Sequence, residues 1–150
     1  MTEALRALLV GAIALGGALA WLAVLATRAD AASPARLVAE LRLAQFSALL
    51  LTLAAAVYVG LAIANEQVAG AGLDIALAIG FFVVAGLVTT WEPVRALTAL
   101  AIAWGVHGMV DLAHTADLLP AAIAPVWYPT ACAIYDVAVA GLCYLPVLRR

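Results

Sequence analysis

Two histidines and two aspartates in the C-terminal half of the sequence are spaced so that they could bind one metal ion or exchange protons. His107, Asp111 and His114 lie within one apolar stretch, and Asp136 lies in the next. On a helix, which turns about 100° per residue, the first three side chains fall within about 60° of one another, so neighbouring pairs can meet directly. Ionisable side chains inside an apolar segment are costly to bury and mark a functional site by default.

The depth of these residues connects the two stretches. If the stretches are antiparallel helices joined by a short loop, His107 lies about 20 Å from one end of its helix and Asp136 about 18 Å from the matching end. We therefore predict that His107, Asp111 and Asp136 converge, with His114 nearer the outer surface. Nearly all of the ionisable side chains inside apolar stretches are expected in these last two helices.

Two imidazoles with one or two carboxylates form a ligand set typical of catalytic zinc or non-haem iron. The spacing lets His107, Asp111 and His114 share an ion, with Asp136 as a further ligand or as a partner that orients a ligand. The predicted catalytic residues are His107, Asp111 and Asp136. A bound ion would activate water to hydrolyse an amide or ester, so the first interpretation is a metal-dependent hydrolase acting on a lipophilic small molecule.

Three other interpretations stay open at this point. A carboxyl group in lipid tends to keep its proton, so the site could be a metal-free acid–base isomerase or cyclase of a terpenoid or sterol-like lipid. A non-catalytic transporter, proton-relay or assembly subunit would use the same residues, although so small a transporter would need to form a homo-oligomer. Finally, the four residues could form a polar network that only holds two helices together.

The composition explains why these residues are expected inside a membrane. Hydrophobic residues make up 68% of the 150 residues and charged residues 11%, against about 45–50% and about 25% in soluble domains. A soluble chain of this size could not cover so much apolar surface, so we predict an integral membrane protein surrounded by membrane lipids. The net charge of −2 and the lack of a basic run argue against nucleic acid as a partner. All seven basic residues are arginines, which excludes a Schiff-base cofactor because that needs a lysine amine.

Five apolar runs, each near the length of about 20 residues that a membrane-spanning helix needs, predict an all-α bundle of five transmembrane helices. Residues 1–150 are expected to form this single domain. The runs are Leu5–Ala26, Leu37–Ala64, Leu73–Thr90, Val94–His114 and Trp127–Leu148. The connection before the fourth run is very short, and Pro93 suits the first turn of the helix that follows.

The arginines predict how such a bundle is oriented. With five spans, one side of the membrane carries six arginines and the other carries only Arg6. The six are Arg28, Arg36, Arg42, Arg95, Arg149 and Arg150. Because basic residues are retained on the cytoplasmic side, we expect the C-terminus in the cytoplasm and the N-terminus outside. The predicted location is the bacterial inner membrane, as a multi-pass protein.

Polar residues outside the four-residue group have simpler interpretations. Cys132 and Cys143 lie about 16 Å apart on one helix, so two buried free thiols are expected rather than a disulfide. At the corresponding depth, Cys132 should lie opposite Asp111. Glu66 and Asp74 flank the loop between the second and third helices and are expected to border the same vestibule.

Residues 104–145 resemble a family of small bacterial membrane proteins known only as a domain of unknown function. That family carries a His-x-x-x-Asp-x-x-His helix, a Pro-rich loop, a Pro-Thr pair and a Cys-Ala-Ile-x-Asp segment. The matching residues here are His107, Asp111, His114, Pro129, Thr130, Cys132 and Asp136. The chain departs from the family at Thr115, where a further histidine is usual, and at Val110, where tryptophan is frequent. The resemblance implies that both helices act as one unit, and it implies no activity.

Overall fold

The apolar runs fold into helices. The computed structural model describes residues 3–119, 124–125 and 127–150, and this part of the chain is all-helical apart from its connections. Its elements are α1 (Glu3–Arg28), α2 (Pro34–Ala64), a 3-10 turn (Val68–Gly70), α3 (Gly72–Val88), α4 (Pro93–Thr115) and α5 (Trp127–Leu148). The predicted all-α class is confirmed, and the predicted helix ends differ from these by three residues at most.

Local capping explains where the helices begin. The Ser33 hydroxyl accepts a hydrogen bond from the backbone N–H of Arg36, and Pro34 occupies the first turn of α2. The carboxylate of Glu92 caps α4 in the same way, and Pro93 begins that helix as predicted. A proline in the first turn removes only an N–H that has no partner within the helix, so these short connections end with both helices well capped.

Four helices, α1, α2, α4 and α5, are long and apolar enough to cross a membrane. The fifth, α3, has 17 residues and is about 25 Å long, slightly less than the hydrocarbon thickness of about 30 Å. Large apolar side chains such as Ile13, Met109 and Ile134 point away from the bundle and are exposed. Lipid is the solvent that suits such a surface, and the chain is therefore a multi-pass membrane protein.

The packing of the helices brings the candidate residues together. Helix α2 contacts all four of the other helices, and α4 packs closely against α5. The closest approach is at Gly108, where an added Cβ would lie 3.3 Å from Cβ of Asp136 and 3.5 Å from the carbonyl oxygen of Ala133. The absence of a side chain at Gly108 thus lets the two helices approach at the depth of the candidate site.

One sequence prediction is wrong here, because buried ionisable residues are not confined to the last two helices. Glu40 in α2 is fully buried and accepts a hydrogen bond of 2.9 Å from Arg36. Arg36 also donates to the carbonyl oxygen of Pro146 in α5 at 2.7 Å. Arg150 donates to Glu40 as well, and this hydrogen bond raises the pKa of the Arg150 guanidinium. Paired opposite charges near helix ends make such burial tolerable, and they join α2 to the end of α5.

Candidate functional site

The core of the candidate site is a contact between α4 and α5. Nδ1 of His107 lies 2.7 Å from Oδ2 of Asp136, and both side chains are buried. His107 directly precedes Gly108, so the close helix approach at Gly108 brings the carboxylate of Asp136 within reach of the imidazole. The prediction that His107 and Asp136 lie at matching depth is confirmed.

Asp111 completes a group of three. It lies one turn after His107, is fully buried, and places Oδ2 3.6 Å from Nδ1 of His107. Its other oxygen, Oδ1, accepts a hydrogen bond of 2.8 Å from the hydroxyl of Tyr58 in α2. Oδ2 itself makes no hydrogen bond with any of the described residues. One ligand atom from each of His107, Asp111 and Asp136 lies within 4.8 Å of the others.

This arrangement concentrates negative charge where water is scarce. Two carboxylates at this separation repel each other, and each loses hydration on burial, so the pair needs a compensating positive charge or proton. An imidazole and two carboxylates are oxygen and nitrogen donors that suit zinc or ferrous iron. Tyr58 holds one oxygen of Asp111 and leaves the other facing His107, which is how an outer hydrogen bond orients a metal ligand. The three residues could therefore hold a divalent ion.

His114, the fourth predicted ligand, lies outside this group. Its Nε2 is 3.1 Å from Oδ1 of Asp74 at the start of α3, and its ring stacks on Tyr58 with 4.5 Å between centroids. The structure thus brings His107, Asp111 and Asp136 together and places His114 with Asp74. Asp74 borders the site region as expected, whereas Glu66 is exposed in the preceding loop.

A cavity of about 490 Å³ leads to the site from one side of the bundle. Its walls come from α1, α2 and α5 and are almost entirely apolar, and His107 and Asp136 line it as well. Tyr135 connects two of the walls, since its hydroxyl donates to the carbonyl oxygen of Ala12 at 3.3 Å. The half-buried thiol of Cys132 also lines this cavity. The site is therefore accessible to an apolar molecule about as large as a typical small-molecule ligand.

The two cysteines are free thiols, as predicted, and they belong to different environments. Cys143 is buried and shares a hydrogen bond of 3.0 Å with Ser47. The indole N–H of Trp104 donates to the same Ser47 oxygen at 2.9 Å. This second polar group connects α2, α4 and α5, and it adjoins the three-residue site because the Trp104 ring packs edge-on against His107 with 6.0 Å between centroids.

Sequence reasoning missed the contribution of α2. Tyr58 shares its helix with the buried polar residues Glu40 and Ser47. At about 100° per residue these three positions lie within about 20° of one another. Polar residues that repeat on one face of a mostly apolar helix indicate a face turned toward the protein interior, and this pattern could have identified Tyr58 as a partner of the site.

Comparison with known proteins gives no further assignment. No family model matches the chain, and neither a curated protein nor a solved structure shows detectable similarity to it. The resemblance of residues 104–145 to a bacterial membrane-protein family therefore stays a prediction, and the function must be argued from the site.

Proposed function

We propose that this chain is a membrane-embedded, metal-dependent hydrolase in which His107, Asp111 and Asp136 bind a divalent ion, zinc or iron, and act on a lipophilic substrate. The observation that carries the proposal is the convergence of three buried ligand atoms within 4.8 Å beside an apolar cavity. A buried group with two carboxylates calls for a cation, and the cavity provides access for a substrate.

The distances are compatible with a small ion. Two ligand atoms that each lie about 2.1 Å from a tetrahedral zinc ion are about 3.4 Å apart. Nδ1 of His107 and Oδ2 of Asp111 are separated by 3.6 Å, close to this value. Nδ1 of His107 and Oδ2 of Asp136 are 2.7 Å apart, so they must separate by about 0.7 Å when they bind an ion. Oδ2 of Asp111 has no hydrogen-bond partner among the described residues, and a coordination bond to the ion would satisfy this oxygen.

The chemistry that follows is hydrolysis of an ester or amide. A bound divalent ion would polarise the carbonyl group and activate a water molecule. The water oxygen forms a bond to the carbonyl carbon, the bond to the alcohol or amine breaks, and one water proton ends on that leaving group. Asp136 lines the cavity, and the oxygen that does not contact His107 would take the proton from water and pass it on. His107 and Asp111 hold the geometry.

The cavity indicates what kind of substrate reaches the site. Its walls carry apolar side chains from α1 and α2, among them Leu8 and Leu53, which are also exposed to the surrounding lipid. Trp127 and Tyr128 line it at the start of α5, where aromatic residues commonly lie at a membrane surface. A molecule already dissolved in the membrane is the occupant that such a cavity favours.

We further propose that all five helices cross the bacterial inner membrane, with the N-terminus outside and the C-terminus in the cytoplasm. The distribution of arginines supports this orientation, because five spans place six of the seven on one side. In this topology the cavity and Asp111 lie in the outer half of the membrane. Helix α3 is the shortest span in this topology, with 17 residues. It begins at the outer end of the bundle, where the buried side chain of Asp74 contacts His114.

Elemental analysis of the purified protein tests the metal site. The wild type is expected to contain about one zinc or iron per chain, and Asp111→Asn is expected to lose it, since an amide is a poor ligand. The matched control is Asp117→Asn, the same change at an exposed loop position, which should keep the metal. The melting temperature of Asp111→Asn should be no lower than that of wild type stripped with a chelator, because the amide removes the repulsion between the two buried carboxylates. Wild-type protein without metal above trace levels would refute the proposal.

A second candidate is favoured by one observation. The contact of 2.7 Å between His107 and Asp136 is already a complete hydrogen bond, which a metal-free acid–base isomerase or cyclase would use for proton transfer. In that case purified protein holds no metal, and Asp136→Asn abolishes isomerisation of a terpenoid or sterol-like alkene. A metal-free protein in which Asp111→Asn keeps full function and an unchanged or higher melting temperature would instead identify a purely structural network, and both candidates would then be wrong.

A further inference from the structure

A second, much smaller cavity lies on the opposite side of His107. It has a volume of about 10 Å³ and lies between α2, α3 and α4. Asp74, His114 and Tyr58 line it together with Phe81, whose ring packs edge-on against the imidazole of His107 at 4.8 Å between centroids. Among the described residues, His107 is the one that lines both this cavity and the large apolar one. The imidazole therefore lies between the two cavities.

The polar atoms beside the small cavity lack partners within the described part of the chain. Both carboxylate oxygens of Asp74 and Nε2 of His114 are buried and make no hydrogen bond there. Nε2 and Oδ1 of Asp74 are 3.1 Å apart, but the ring N–H does not point along this line, so the contact is an ion-pair distance without a hydrogen bond. Buried polar groups in native proteins nearly always have a partner, and these three atoms are close enough to share one.

A single water molecule fits this space. A polar cavity holds one water when its volume reaches about 10–15 Å³ and two to four polar atoms surround it. The position also suits access from outside the bundle. Asp74 lies in the first turn of α3 and His114 in the last turn of α4, so both adjoin the exposed connections at the same end.

We propose that water reaches the site through this small cavity, held by Asp74 and His114, while the lipophilic substrate comes through the apolar cavity on the other side of His107. The inference rests on the proposed hydrolase function, because hydrolysis consumes one water for each bond broken. It adds Asp74 and His114 as positioning residues, and it explains why a carboxylate and an imidazole are buried one helix away from the three-residue site. Supplying the two reactants from opposite sides keeps bulk water out of the apolar cavity.

Hydroxyl-radical footprinting of the full chain in lipid nanodiscs, with a brief X-ray pulse in ¹⁸O-labelled water, tests this route. The method labels side chains next to bound water. Phe81 is buried and lines the small cavity, whereas its neighbour Phe82 is only partly buried and packs against the apolar core away from that cavity. We expect Phe81 to be labelled at least about fivefold faster than Phe82. Exposure alone would give the opposite order, because Phe82 is the more exposed of the two. Asp74→Leu should lower Phe81 labelling about fivefold, the effect of one lost hydrogen bond on water occupancy.

Asp74→Asn is the matched control, since an amide still binds water and should leave the labelling of Phe81 near its wild-type rate. Equal labelling of Phe81 and Phe82 in the wild type would overturn the inference, whether or not the Asp74 variants fold. Metal content measured on the same samples keeps the two proposals apart. If the wild-type protein holds metal but Phe81 is not labelled preferentially, the metal site is present and the water route is wrong. Protein without metal refutes the hydrolase instead.

Discussion

Gly108→Ala tests the link between helix packing and the site most directly. An alanine Cβ at this position would lie 3.3 Å from Cβ of Asp136 and 3.5 Å from the carbonyl oxygen of Ala133. Gly105, about one turn earlier on the same helix, provides the matched control, because an added Cβ there has no atom within 4 Å. Both changes add one methyl group to the same helix, and only one of them adds it at the α4–α5 contact.

The magnitudes follow from that difference. Replacing a helical glycine with alanine stabilises a helix by about 1 kcal/mol, so Gly105→Ala should raise the free energy of unfolding by up to about that amount. Carbon atoms prefer a separation of about 3.5–4.0 Å, so Gly108→Ala must move Asp136 away by about 0.2–0.7 Å. Overpacking of this kind typically costs about 1–3 kcal/mol, which cancels or exceeds the gain. The two variants should therefore differ by about 1–3 kcal/mol.

The same displacement acts on the site. The carboxylate that moves is that of Asp136, which lies 2.7 Å from His107. Gly108→Ala should therefore weaken metal binding by about tenfold, the lower end of the effect of mutating residues that orient metal ligands. Unfolding in mixed dodecyl maltoside and SDS micelles measures stability, and zinc titration calorimetry measures affinity. Equal stability and unchanged zinc affinity in both alanine variants would show that the contact at Gly108 does not set the geometry of the site.

Three further predictions concern other parts of the chain. Tyr58→Phe keeps the ring but removes the hydroxyl that orients Asp111, so zinc affinity should fall about 10–100-fold. The control Tyr144→Phe, at an exposed position, should bind zinc as the wild type does. Equal zinc affinities in the two variants would show that Tyr58 does not orient a ligand. Glu40→Ala leaves Arg36 buried without its carboxylate partner and should lower the free energy of unfolding by about 3–5 kcal/mol in the same micelle titration. A change below 1 kcal/mol would mean that the ion pair is solvated in the membrane-bound protein. A reporter enzyme that works only in the cytoplasm should be active when fused after Arg150, whereas one that works only in the periplasm should be inactive there. The opposite result would contradict the predicted orientation.

Much of the fold could be predicted because lipid imposes simple rules on sequence. A spanning helix must be apolar over a fixed length, so the runs of apolar residues give the helices directly, including the exact range of α5 from Trp127 to Leu148. The meeting of His107 and Asp136 followed from the rise per residue in two antiparallel neighbours. Both predictions depend on distances along a helix axis, which the sequence contains.

The sequence could not predict contacts that depend on how helices rotate and pack. His114 shares a stripe with Asp111, and only the position of α3 decides that His114 faces Asp74 instead of a shared ion. In the same way, Gly108 resembles the other glycines of the chain until α5 packs against it. Small residues permit close helix approach without stating which partner approaches.

The sequence by itself thus determined a helical membrane protein with His107 and Asp136 at a common depth and Asp111 one helical turn from His107, because apolar length and helical rise are local properties. The tertiary structure decided the rest: Tyr58 as the hydrogen-bond partner of Asp111, Asp74 as the neighbour of His114, and two separate cavities on either side of His107. These features arise from residues far apart in the chain. In a membrane the hydrophobic effect does not select between alternative helix pairings, so side-chain packing and buried polar contacts select the arrangement.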